Sequence, residues 1–418
     1  MGMIEKQGGV LPSTHVDKDK ASKQDVAPRE RYKSRREDRK PGDEEIETLR
    51  TDKIFLKRSE SSMAVCTCGL IIDPRLPDQA LFSRVSGVCK VLLRKWADVD
   101  DSNISVMKIS GGITNMLLKA EVEGENEDKL PPVTVRVFGP NTDAVIDRDR
   151  ELQALTYLSS AGFGAKLLGV FGNGMIQSFI FGRTLEPLDM GKPELAKLIA
   201  MEVRRLHELE IPGSKEPQLW NDIYKFIDKA SGVIFEDSEK QKTYETISFE
   251  NIKAEIEELR AISNNFDAPV VFAHNDLLSG NFMYNEDEGK LYIIDYEYGS
   301  HSYRGYDIAN YFNEHAGFDC DYSLYPDKEK QFYFFRYYLH PENPEMSTIA
   351  ELEEFYAECN FYSLVSHMYW ATWAIVQARY SPIKFDYLGY FFLRFDEYKR
   401  RKEELLSLTS EYLNSRKQ

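Results

Sequence analysis

No run in this chain approaches the roughly 18 apolar residues that a membrane-crossing helix needs. The opening stretch, MGMIEKQGGVLP, also lacks the apolar core of a secretory signal. Together these absences predict a cytoplasmic protein with no stable membrane insertion. Cysteine is scarce: five residues, at 66, 68, 89, 320 and 359, odd in number and scattered, suit reduced thiols better than a disulfide framework. Cys66-Thr67-Cys68 is the only close pair, and no further Cys or His stands near enough to complete a zinc site. A basic excess is missing too. The net charge of −16 argues against nucleic acid or an anionic membrane as a partner held by bulk attraction, and suits a small cationic ligand.

Aromatic residues are nearly absent from positions 1–62, where Tyr32 and Phe55 stand alone among 15 Lys/Arg and 13 Asp/Glu. That extension is expected to be disordered, and its acidic residues argue against a transit peptide. Lys6 occupies the place where a myristoylation motif on Gly2 wants Ser or Thr, and Met63 offers an alternative start. Because the extension is slightly positive, the acidity belongs to the remainder.

What is present reads as a folded chain of two lobes: 418 residues with 42% hydrophobic content bury a sizeable core. From Val85, SGVCKVLLRKWADV has helical apolar spacing. ISVMKIS, MLLKAEVE and VTVRVFGP follow as strand candidates, then a helix around DRDRELQALTYLSSAG ending at Gly162, then KLLGVF and MIQSFIF flanking GNG. This predicts a strand-rich N-lobe over 85–182. The remainder, 183–418, reads as a mostly helical C-lobe. PELAKLIAMEVRRLHELEIP places Leu195, Leu198, Ile199, Val203 and Leu206 on one face, and further helices are expected over 221–262, 350–380 and 385–413. The predicted class is α+β.

One strand-like island interrupts the helices: HNDLLSGNFMYNEDEGKLYIIDYE, His274 to Glu297. NFMY and KLYIID form a hairpin through NEDEGK. With the turn centred near Glu288, Asn281 and Asp295 lie seven residues to either side and face each other. Cross-strand neighbours are about 5 Å apart, so a hard cation such as Mg²⁺ would take an oxygen from each. Asp276, five residues before Asn281, with Gly280 allowing a sharp turn between them, would accept a proton from an attacking hydroxyl. His274 orients the loop. This is the requirement of phosphoryl transfer, where positioning and charge neutralisation dominate. The structural alternative is that Asp276 and Asn281 cap a turn while Asp295 ends a strand.

In the N-lobe, Gly111 and Gly112 of SGGITNM let backbone N–H groups approach phosphate oxygens, or else form an ordinary hairpin turn. Arg136 is a strand cation where a protein kinase places its phosphate-pairing lysine, with Glu151 on the next helix as its partner. Its alternative is a strand-face ion pair. Trp370 and Trp373 share a helix face, the usual spacing of core residues.

HNDLLSGN resembles the catalytic loop of the choline and ethanolamine kinase family, and IDYEYGSHSYRGYDIANYFNEHAG resembles that family's signature. The likeness runs from about Val85 to Tyr412 and is greatest to plant-type ethanolamine kinases, through SGGITN, NEHAG and DYSLYP. It implies a two-lobed, protein-kinase-like fold, ATP and Mg²⁺ as cofactors, and phosphorylation of ethanolamine in the CDP-ethanolamine route to phosphatidylethanolamine. Carried over by motif, Asp276 would be the base, Asn281 and Asp295 the metal ligands, and His274 a brace. Ser110, Gly111, Gly112, Thr114, Asn115 and Arg136 would bind the nucleotide, with Gln177 and Arg183 bounding an adenine-holding hinge. Glu314, Asp307, Trp370, Trp373 and Tyr390 would form the amino-alcohol pocket, Asp307 being equally a structural brace. His315-Ala316-Gly317, in place of bulky aromatics after Glu314, favours a primary ammonium over a quaternary one. Tyr311 and Leu278 depart from the family pattern and are given no role. The family also implies a possible homodimer. The rival readings are a choline or dual kinase, an aminoglycoside-type or protein kinase, and a catalytically silent binding module.

Overall fold

In the computed structural model of the protein, the described residues are 65–109, 115–124, 130–142 and 145–416. The charged extension over 1–62 lies outside them, as do Ser110, Gly111, Gly112 and Thr114.

The chain opens with strand β1 (Cys66–Cys68) and helix α1 (Asp78–Leu92). Both begin before the Val85 boundary expected from sequence. α1 turns Leu81, Val85, Val88 and Leu92 inward, so the pattern that becomes obvious at Val85 begins two turns earlier. A three-residue strand is too short to show an alternation. Strands β2 (Ile104–Ile109), β3 (Asn115–Val122) and β4 (Val133–Phe138) lead to α2 (Arg148–Ser160), then β5 (Leu167–Phe171) and β6 (Gly174–Ser178). The sheet order is β1-β5-β6-β4-β3-β2. Among the described residues of this sheet, only the β1–β5 pair is parallel. α2 starts at the Asp147 N-cap, whose side chain accepts from the Arg150 N–H. Just past its end, Gly162 adopts φ 77°, a backbone region that glycine enters freely. Val85, Val88, Leu118, Val135, Val137 and Ile176 share one hydrophobic cluster.

A second, larger cluster belongs to the helical part. β7 (Arg183–Thr184) and α3 (Pro187–Met190) lead into α4 (Pro193–His207), which buries Leu195, Ile199, Val203 and Leu206. The amphipathic stretch expected over 221–262 is three helices: α5 (Leu219–Ser231), α6 (Ser238–Glu245) and α7 (Phe249–Ser263). Strands β8 (Val270–Ala273), β9 (Phe282–Asn285), β10 (Lys290–Ile293) and β11 (Ser300–Tyr303) carry the site loops, followed by α8 (Arg304–Asn313) and α9 (Lys328–Leu339). β10, β9 and β7 form one small sheet, β11 and β8 another.

Helix α10 (Ile349–Tyr380) runs through the centre of this part and packs against α11 (Tyr387–Ser415), α8 and α5. Its sequence from Ala357 to Gln377 is buried at every position, so the helix is enclosed on all sides rather than along a stripe, buried polar residues such as Glu358, Asn360, Ser366 and His367 included. Thr348 and Glu351 close its start in a reciprocal capping box. Among the described residues no helix is long and apolar enough to cross a membrane. The expected two-part α+β organisation is therefore what the chain adopts, and the two clusters meet where α2 faces the helical part: Ala154, Leu155 and Leu158 of α2 pack with the larger one.

Candidate active site

The loop between β8 and β9 has a shape that its own residues cannot hold alone. Asn275 sits at φ 66°, a left-handed backbone that Asn tolerates better than most residues. The backbone N–H groups of His274 and Asn275 donate to Asp307 Oδ2 at 2.8 Å and Oδ1 at 2.7 Å. Asp307, fully buried on α8, also faces His207 Nε2 at 2.9 Å, and His207 Nδ1 lies 2.9 Å from the Tyr338 hydroxyl. The Asn275 side chain donates to Tyr298 O and Ser300 Oγ, both at 2.9 Å. Asp307 is thus spent as a brace of the loop, which favours the second of the two readings given to it above.

His274 braces the other side. Its Nε2 lies 2.9 Å from Ile294 O, and its Nδ1 receives the Asp276 N–H at 3.2 Å. These partners define a neutral ring with the proton on Nε2. Burial pushes its pKa below the ordinary histidine value, against the pull of Asp307.

Asp276 emerges from this frame almost buried. Asn281 Nδ2 donates to its Oδ2 at 2.9 Å and to its backbone oxygen at 2.8 Å. Burial raises the carboxyl well above the usual range, Glu314, Asp295 and Glu297 push the same way, and the Asn281 bond opposes them. Asp276 and Asn281 are joined through a single 3₁₀ turn, Ser279–Asn281. Gly280 serves this turn by making room rather than by a left-handed backbone: a Cβ there would come within 2.9 Å of the Leu278 side chain.

The hairpin register differs from the sequence expectation by half a residue. Phe282 pairs with Ile293 and Asn285 with Lys290, which centres the turn between Asp287 and Glu288. Asn281 therefore faces Ile294, whose N–H donates to Asn281 O at 2.9 Å. Asp295 lies one position further on. It takes φ 63°, and this break in strand geometry directs its carboxylate to Arg136.

Arg136, on β4, is the centre of a buried ionic network. Its Nη1 donates to Glu151 Oε1 at 2.8 Å, and its Nη2 to Asp295 Oδ1 at 2.7 Å and Glu297 Oε2 at 2.6 Å. Burial opposes the charge, but the three carboxylates outweigh it and hold the guanidinium protonated. Arg148 adds bonds to Glu151 Oε2 at 2.7 Å, Glu297 Oε2 at 3.3 Å, Asn115 Oδ1 at 3.1 Å and Thr142 Oγ1 at 3.0 Å. Asn115 in turn donates to Glu297 at 3.1 Å. Glu297 and Arg148 carry no role in the sequence reading, and Glu297, two positions after Asp295, lies in the turn that the Gly299 N–H closes on Tyr296 O at 3.0 Å.

The remaining residues divide between the two lobes. Gln177 sits within β6 opposite Thr134 and Leu167. Arg183 leaves the hinge for β7, where it pairs with Asp189 at 2.6 Å and Glu286 at 3.0 Å, so its guanidinium is committed to protein carboxylates. On the acceptor side, Trp370 and Trp373 meet edge to face, ring centroids 5.3 Å apart. Both indole N–H groups are engaged, Trp370 with Asn310 Oδ1 and Trp373 with the Tyr298 hydroxyl, each at 2.7 Å. Only ring surface is left to meet a cation. Glu314 Oε1 accepts from Arg394 Nη1 at 2.6 Å, and the same Nη1 donates to the Tyr390 hydroxyl at 3.0 Å. Tyr311 is a packing residue, its hydroxyl bonded to Met190 O at 2.9 Å.

A buried aspartate beside an asparagine, a kinked aspartate on an arginine–glutamate pair, and an aromatic wall with one carboxylate are the parts of a small-molecule phosphotransferase. The family model described as choline/ethanolamine kinase matches residues 106–399. The chain belongs to the choline/ethanolamine kinase family. A probable ethanolamine kinase of Arabidopsis thaliana is 57% identical over 345 residues, 82% of this chain and 92% of that protein. Among solved structures, an ethanolamine kinase of Plasmodium vivax is similar at TM-score 0.69 and 27% identity, over 79% of this chain and 90% of that one. A choline kinase of Cryptosporidium parvum is similar at TM-score 0.64 and 26% identity, over 80% and 98%.

A kinase family implies ATP as phosphoryl donor, with magnesium usual. The side chains fit that pair. Asn281 gives its N–H groups to Asp276, leaving Oδ1 as an acceptor, and Asp295, more open than its neighbours, uses Oδ1 on Arg136. Ligand oxygens of Glu151, Asp295 and Glu297 lie within 4.8 Å of one another. Those oxygens are gathered around the Arg136 and Arg148 guanidinium groups, so the oxygens that suit a hard divalent cation are those of Asn281 and Asp295.

Proposed function

We propose that the protein transfers the terminal phosphoryl group of ATP to the hydroxyl of ethanolamine, the step that commits ethanolamine to phosphatidylethanolamine synthesis through CDP-ethanolamine. The observation that carries this reading is the setting of Asp276: buried, fixed by Asn281 and by the His274 frame, and electrostatically coupled to both Asp295 and Glu314. One aspartate thus stands between the phosphate side and the amino-alcohol side. The named activity of the Arabidopsis and Plasmodium relatives supports the same substrate.

In this reading Asp276 accepts the hydroxyl proton as the oxygen attacks. The ammonium of the substrate, arriving beside Glu314, offsets part of the carboxylate repulsion that adds to burial in raising the Asp276 pKa. Asn281 and Asp295 hold the divalent ion, which screens the phosphate oxygens when bound. Arg136, Asn115 and the residues Ser110, Gly111, Gly112 and Thr114 hold the nucleotide, with Gln177 at the edge of the adenine hinge. Trp370, Trp373 and Tyr390 wall the acceptor. Asp307 and His274 keep the loop in shape. We take the protein to be cytoplasmic and capable of forming a homodimer.

A choline or dual kinase is the second reading, favoured by the aromatic wall and by the choline kinase among the similar structures. A coupled assay with both amino alcohols separates them: the first reading predicts a higher kcat/KM on ethanolamine, and equal or greater efficiency on choline defeats it. Asp276→Asn is expected to lower kcat at least about 100-fold, the scale of a lost general base, with the KM for ATP nearly unchanged. Undiminished turnover returns the loop to a turn-capping role.

A further inference from the structure

Arg394 of α11 is almost wholly buried, far in sequence from every residue discussed above except Tyr390, and its guanidinium is shared by the acceptor side. Besides Glu314 Oε1 and the Tyr390 hydroxyl, it reaches Ser366 Oγ through Nη2 at 3.2 Å. Ser366 donates to Asn310 Oδ1 at 2.9 Å, the same oxygen that receives the Trp370 indole N–H. A continuous chain therefore runs Glu314, Arg394, Ser366, Asn310, Trp370, linking the carboxylate of the proposed pocket to its aromatic wall.

The chain also leaves Glu314 half used. Arg394 bonds Oε1, which restrains the carboxylate, and no bond to Oε2 is seen among the described residues. A primary ammonium needs an oxygen at a defined place and angle for its N–H donors. A quaternary ammonium has no N–H and responds only to field and ring faces.

We propose that Arg394 is the positioning residue that sets the preference for a primary over a quaternary ammonium, by locking Glu314 and Trp370 into one frame. The inference rests on the ethanolamine kinase reading. Its charge matters less than its fork: a lysine neutralises Glu314 but does not span Glu314, Tyr390 and Ser366 together.

The test compares wild type, Arg394→Lys and Arg394→Met on ethanolamine and choline at saturating ATP. Arg394→Met is expected to lower kcat/KM on ethanolamine about 10- to 100-fold, the scale of a lost charge-assisted contact. The expected change on choline is less than about threefold, with the KM for ATP unmoved. Arg394→Lys recovers little of the ethanolamine preference. Equal losses on both substrates, or a lysine variant with wild-type selectivity, overturn the proposal. Removing Arg394 strands a buried carboxylate, which costs stability, so Ser366→Ala is the gentler probe. By removing the hydroxyl that joins Arg394 to Asn310, while leaving the Arg394–Glu314 pair in place, it is expected to raise the KM for ethanolamine about two- to fivefold, the scale of a lost hydrogen bond; an unchanged value overturns the linkage. Failure of the wild type to phosphorylate ethanolamine sinks the parent reading instead, which keeps the two outcomes distinct.

Discussion

The two flanks of Asp276 are built from opposite materials. The flank facing β4 and α2 is ionic: Arg136 and Arg148 share Glu151 and Glu297, and Arg136 also holds Asp295. The flank facing α10 and α11 is aromatic, with one ion pair, Glu314–Arg394, inside it. The difference follows the partners each would meet. A polyanion carrying a divalent ion needs both signs of charge, and in the proposed reading Arg136 would exchange some of its carboxylate bonds for phosphate. A small cation needs one negative group and low dielectric walls, with little to rearrange. The ionic flank is therefore expected to change its bonding on binding, and the aromatic flank to be preorganised.

The sharpest way to break this contrast is a crossed pair of substitutions. Glu297→Gln weakens three donors at one oxygen and is expected to raise the KM for ATP about 10- to 100-fold, by loss of charge-assisted bonds, leaving the KM for ethanolamine in place. Glu314→Gln is expected to do the reverse. If either variant moves both constants together, the flanks are one unit and the contrast fails. A smaller effect is expected from Arg136→Lys, which keeps the charge but reaches fewer of the three carboxylates: about a tenfold loss of kcat/KM for ATP, measured by steady-state kinetics, with ethanolamine binding intact by calorimetry.

The smallest effect concerns acidity. Burial pushes the His315 pKa down to about 3, so its ring stays neutral in the folded protein, whereas the unfolded chain takes up a proton near 6.5. The unfolded state then binds more protons as pH falls, and stability drops by about 2 kcal/mol between pH 7 and pH 5 from this group alone. Chemical denaturation of His315→Gln at the two pH values should show a correspondingly smaller loss than wild type. An identical loss removes His315 from the account.

The local signals of this chain were legible and the long-range ones were not. Alternation in ISVMKIS and VTVRVFGP gave β2 and β4, and the apolar face of PELAKLIAMEVRRLH gave α4. The spacing around Asn281 and Asp295 located the hairpin, but composition fixes a turn only approximately, and the left-handed kink at Asp295 has no signature beyond an Asp that tolerates it. The Arg136–Glu151 pair follows from a strand cation preceding a helix carboxylate, and is present at 2.8 Å. Arg183 read as part of a hinge, while β7 carries it to Asp189 and Glu286. Arg394 was out of reach. Its partner Glu314 lies 80 positions away, and only the packing of α11 against α10 brings α11 to the end of α8.

The hold that α8 exerts on the His274–Asn275 loop has a consequence for synthesis. The two amide hydrogens of that loop await a carboxylate 33 and 32 positions downstream, and until α8 docks nothing else described there satisfies them. A growing polypeptide that has passed Asp276 but not Asp307 carries the His274 and Asn281 contacts of its proton acceptor without the carboxylate that closes the loop behind it. The loop should therefore take its working shape only once α8, a helix that makes no claim on the nucleotide, has emerged and docked.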